Sequence, residues 1–109
     1  MIVSVDLTTT PAVVGLDEPD DCRRFHVAAR VAPNGGADPD GLARALAERG
    51  VGRRDGDDAW VQVEAVRRLA AGRVGTSWER DFAAMVDFAR DKGWLDASGT
   101  AIRAHVEWS

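Results

Sequence analysis

The chain holds one cysteine, Cys22, one lysine, Lys92, and no tyrosine. A lone cysteine forbids an intrachain disulfide, so the fold must rest on a packed apolar core. A chain of 109 residues is long enough to build one and is expected to form a single domain over residues 1–109. Long hydrophobic runs are also missing. Residues 1–16 have no basic leader and carry Asp6, and no stretch approaches the roughly 20 apolar residues of a membrane span. Neither a secretory signal nor membrane association is expected, and the expected compartment is the cytoplasm.

Positive charge is in short supply. Fourteen Lys and Arg face 18 Asp and Glu, for a net charge of −4. Nucleic acid is therefore not an expected partner, because phosphate neutralisation needs a concentrated basic footprint. Thirteen of the 14 cations are arginine. The planar guanidinium suits carboxylate and phosphate recognition, but an Arg- and Ala-rich chain also reads as the codon bias of a GC-rich genome. The familiar chemical signatures are absent: no P-loop, dinucleotide-binding glycine pattern, zinc pair, HExxH, nucleophile elbow or EF-hand loop. No cofactor and no metal are expected.

What is present is periodicity. Residues 1–8 alternate Val3, Val5 and Leu7 with Ser4, Asp6 and Thr8, the period of a half-buried strand. Ala12–Leu16 can form a second short strand, followed by an acidic loop at 17–21. From Arg24 to Pro33, Phe25, Val27, Ala29 and Val31 share one face, and Arg24, His26, Ala28 and Arg30 the other. Asp38-Pro39 opens a helix as N-cap and first helical residue. Gly52–Asp58 reads as a polar loop, Ala59–Val63 as a short strand and Glu64–Ala71 as a helix. Thr76 and Glu79 have capping-box spacing, heading a helix whose apolar stripe is Trp78, Phe82, Met85, Val86 and Ala89. Thr100–Trp108 alternates throughout: Ile102, Ala104, Val106 and Trp108 against Arg103, His105 and Glu107. The expected fold is α+β, with about four strands in a mostly antiparallel, possibly mixed sheet and about three helices on one face.

Two groups of residues carry chemistry. His26 and His105 both lie on polar strand faces, each with an arginine two positions earlier (Arg24, Arg103), and Glu107 follows His105 on its face. If those strands are neighbours, His26, His105 and Glu107 form a candidate acid–base group, and Arg24, Arg30 and Arg103 candidate anchors for a small anion. The plainer expectation is the ordinary wet face of a sheet. Cys22, between Asp20-Asp21 and Arg23-Arg24, is either a thiol activated by arginine or, more simply, a strand-entry residue.

The second group is aromatic. Trp60, Trp78, Trp94 and Trp108 stand at element ends, where indoles usually seal a small core. Trp108, near the end of an alternating strand, and Phe88, on the shoulder of its helix, are candidate interface residues. The long last strand suggests a sheet edge that pairs with a second copy. The leading expectation is thus a small interaction protein forming a homodimer or serving another protein partner. The alternative is a small enzyme or binding protein for an anionic molecule.

The stretch WERDFAAMVDFARDKGWLDASGTAIRAHVEW, Trp78 to Trp108, resembles the ending of a family of small, uncharacterised actinobacterial proteins. Trp78, Phe82, Met85, Lys92-Gly93-Trp94, Asp96, Gly99 and Arg103 to Trp108 carry the resemblance, which covers under a third of the chain. It implies no activity, cofactor or catalytic residue.

Overall fold

A computed structural model describes residues 1–109. The elements run β1 (Ile2–Asp6), β2 (Val13–Asp17), β3 (His26–Arg30), α1 (Pro39–Glu48), β4 (Gly52–Asp55), β5 (Asp58–Gln62), α2 (Val63–Ala70), α3 (Trp78–Asp91) and β6 (Ala101–Trp108). The α+β class agrees with the sequence pattern, but the sheet has six strands rather than about four, in the order β2-β1-β3-β6-β5-β4. It is mixed. The two central pairings, β1 with β3 and β3 with β6, are parallel, and the three others are antiparallel.

The strand absent from the sequence reading is β4, and its composition explains why. Its inward positions are Gly52 and Arg54, opposite Val61 and Ala59, so it carries no apolar alternation. A short, charged outer strand of this kind discourages edge-to-edge pairing. Gly56, with φ of 61°, forms the tight turn with Asp57. Gly52 is there because the partner backbone comes close: a Cβ at this position would stand 2.0 Å from the Trp60 carbonyl oxygen. Gly52→Ala must push the hairpin apart, and we expect a loss of about 1–3 kcal/mol in chemical denaturation, the usual cost of overpacking. An unchanged denaturation midpoint would contradict the close approach.

One face of the sheet is apolar and carries all three helices. Val3 and Val5, Leu16, Val27 and Ala29, Ile102 and Ala104, and Ala59 and Val61 form a single buried cluster with Leu42 and Leu46 of α1, Val66 and Ala70 of α2, and Phe82, Val86 and Ala89 of α3. Asp38 caps α1 as expected, its carboxylate accepting from the Gly41 amide at 3.0 Å, with Pro39 in the first turn. The capping box expected at α3 does not form. Ser77 precedes the helix without a side-chain cap, and Glu79 instead accepts from Arg67 of α2 at 2.8 Å. A tertiary ion pair stands in place of the local hydrogen bonds.

The position of β6 corrects a second expectation. It lies between β3 and β5, not at an edge of the sheet. Trp108 faces the helix side and is half-buried against the core.

Candidate functional site

The opposite face of the sheet is polar, and strand register assembles its centre. Val27 pairs with Val106 in parallel register, which sets His26 beside His105, while Glu107 projects from the same side of β6 two residues on. The two imidazoles stack, with centroids 5.2 Å apart and planes 21° from parallel. Their Nε2 atoms converge on one carboxylate: His26 Nε2 is 3.2 Å from Glu107 Oε2, and His105 Nε2 is 3.1 Å from Oε1. His26 is four-fifths covered, its side chain 19% exposed, whereas His105 and Glu107 are 59% exposed. The hydrogen bond from His105, followed by the charge of His26, holds the Glu107 carboxyl below its usual range. A carboxylate can only accept, so in the His105–Glu107 hydrogen bond it is the imidazole that presents an Nε2–H.

The expected arginines are distributed differently. Arg103 is occupied: its Nε donates to Asp58 at 2.8 Å, and Asp55 lies 4.0 Å away. The Asp58 hydrogen bond, more than any other contact, raises its already high pKa. Arg103 and Arg53 also sandwich the Trp60 ring, at 5.6 and 5.5 Å, while the Trp60 indole donates to Asp55 at 3.0 Å. Trp60 is therefore a polar-face residue, not a core seal. The signal overlooked in the sequence was alternation, since Ala59 and Val61 are buried on either side of it. Arg30 stands at the far end of β3, opposite Asp6 of β1, four residues from His26. Of the three expected arginines, Arg24 and Arg30 have no carboxylate within ion-pair range, and of these two only Arg24 shares a cleft with His105.

Arg24 lines a cleft of about 910 Å³ that sequence reasoning did not find. Its origin is a split in the sheet. β3 pairs with β6 only through Val27–Ala29 and Val106–Trp108, and nearer its start β6 is bridged at Ile102 by Leu95. Between these contacts, Arg103, Ala104 and His105 face an opening walled by residues 20–25 and by α3. The 20–25 wall is tethered at its base: the Trp78 indole donates to the Pro19 carbonyl at 2.7 Å, and the Met1 amine to the Asp21 carbonyl at 2.9 Å.

The cleft surface is largely apolar, with Phe25, Met85, Phe88, Trp94, Ile102 and Ala104. Phe88 and Trp94 meet edge to face at 5.8 Å and are 54% and 44% exposed, which is unusual for paired rings in a small protein. The charged rim is mixed. Asp20, Asp21 and Asp81 lie near Cys22, and Arg23 and Arg24 have no carboxylate within ion-pair range. Burial, and next the charge of Asp81, push the Cys22 thiol above its ordinary pKa. The neighbouring arginines do not activate it. Comparison with protein-family models, curated proteins and solved structures finds no match to this chain.

Proposed function

We propose that the protein binds a small amphiphilic anion, with the apolar body of the ligand in the cleft and its charged group at Arg23, Arg24 and His105. The observation that carries this reading is a cleft of drug-sized volume with an aromatic wall and two unpaired guanidinium groups on its rim. Arginine in that state is a fork of donors awaiting a carboxylate or phosphate. His105, backed by Glu107, is the group placed to share a proton with the bound ligand, which makes His26, His105 and Glu107 the residues to examine for acid–base chemistry.

Titration of aryl carboxylates and aryl phosphates, followed by tryptophan fluorescence, tests the reading. Saturable quenching is expected, with Trp94 as the reporter. Arg24→Ala should weaken binding about tenfold or more, the loss of one charge-assisted hydrogen bond. Ala84→Trp, at an exposed position of α3 lining the cleft, should block binding without unfolding the chain. Absence of saturable binding across the panel, or binding indifferent to Ala84→Trp, overturns the proposal. The exposed Phe88–Trp94 pair supports a second reading, a homodimer that buries this aromatic face. Sedimentation of the full chain as a monomer at tens of micromolar, roughly the range where a weak dimer shows, would remove it.

A further inference from the structure

The His26–His105–Glu107 cluster has a geometry that acid–base chemistry does not require. Three ligand-type atoms, from two imidazoles and one carboxylate, lie within 4.8 Å of one another on a firm platform of two paired strands. The two Nε2 atoms lie 3.2 and 3.1 Å from the two oxygens of that carboxylate. Donor atoms around a tetrahedral zinc ion with bonds of about 2.0–2.1 Å stand about 3.3–3.4 Å apart; each nitrogen lies near that distance from one oxygen of the Glu107 carboxylate, His26 from Oε2 and His105 from Oε1, so the carboxylate bridges the two imidazoles. The remaining adjustment, from separations of up to 4.8 Å, falls to His105 and Glu107, whose side chains are both 59% exposed.

We propose that His26, His105 and Glu107 form a binding site for a divalent transition-metal ion of the zinc class. The donor set selects the ion. Imidazole nitrogen suits zinc, copper, nickel and iron, whereas magnesium and calcium take oxygen ligands. Two histidines and a carboxylate also leave coordination positions open, as catalytic rather than structural sites do. Each imidazole would bind the ion through Nε2 as its neutral Nδ1–H tautomer. The site rests on the cluster's own geometry, and an ion held here would sit at the cleft's polar end and share His105 with a ligand bound there.

The test uses the full chain stripped with chelator and titrated with Zn²⁺ against a chromophoric indicator, with Co²⁺ as a spectroscopic probe. One equivalent should bind, and Co²⁺ should show visible bands of a low-symmetry four- or five-coordinate site. Glu107→Gln, at an exposed position, and His105→Ala should each weaken Zn²⁺ binding more than about 100-fold, since losing even a group that merely orients a ligand costs 10–100-fold. His26→Gln should do the same, with circular dichroism confirming the fold. Cys22→Ser, on the cleft side, should change nothing. Failure to bind one equivalent of Zn²⁺, or binding that survives both Glu107→Gln and His105→Ala, overturns the site. Loss of aryl-anion binding in Ala84→Trp with Zn²⁺ binding intact would separate this site from the cleft.

Discussion

Deletion of residues 101–109 is expected to leave a chain with no cooperative unfolding transition. β6 is the strand through which the two halves of the sheet meet. On one side it pairs with β3 at Val106–Trp108, on the other with β5 along Ala101–His105. The ladder continues past its end, Ser109 donating to the Ala29 carbonyl and accepting from the Val31 amide, both at 3.0 Å. Without β6, the β2-β1-β3 and β5-β4 groups are separate sheets of three and two strands. The buried side chains of Ile102 and Ala104 disappear from beneath α3. A domain holds only about 5–15 kcal/mol of net stability, and losing a central strand removes both ladders and a layer of the core together. Proton NMR of the truncated chain should show collapsed amide dispersion, and thermal denaturation no sigmoid. The sequence pattern alone, which reads the last strand as an edge, would anticipate a folded monomer instead. A dispersed spectrum would therefore return β6 to the periphery and contradict the strand order.

That contrast shows what kind of information the sequence carried. Alternation in Thr100–Trp108 and in Arg24–Pro33 assigned residues 26–30 and 102–108 to their correct faces, so His26, His105 and Glu107 were legible as polar-face residues. Their convergence was not legible. It depends on β3 and β6 being neighbours, parallel, and in a register that sets His26 beside His105, and each of these is a long-range property. The cleft lay further out of reach, because it exists only where that pairing stops. Arg103 looked available for a ligand because its partners, Asp58 and Asp55, sit on strands β5 and β4 that fold back beside it. β4 itself gave no signal, since a strand with Gly52 and Arg54 on its inward face lacks the period that identifies strands. Local rules failed where a distant partner outbid them, as when Glu79 left Thr76 for Arg67.

Phe82→Ala should be the most damaging single substitution in the helical layer, at about 3–5 kcal/mol. Phe82 is fully buried and is the largest fully buried side chain in the protein. Its ring is held on two sides, stacked on Trp78 at 4.7 Å with planes 9° apart, and covered by the Arg67 guanidinium at 5.4 Å. Arg67 in turn is fixed by Glu64 and Glu79, so α2 and α3 are clamped over this one ring. Truncation to alanine removes the stacking partner of Trp78, whose indole anchors the 20–25 wall through Pro19. The effect should thus reach the cleft. Phe82→Leu, which fills most of the volume without a flat ring, should recover a large part of the stability but not all the ordering of that wall. Guanidinium denaturation measures the first effect, and amide exchange at residues 20–25 the second. If Phe82→Ala costs less than about 1 kcal/mol, well below the range for a buried phenylalanine, α3 is not seated on the sheet as described. If stability falls but exchange at residues 20–25 is unchanged, the wall is held by the Met1 amine and its own turn, not through Trp78.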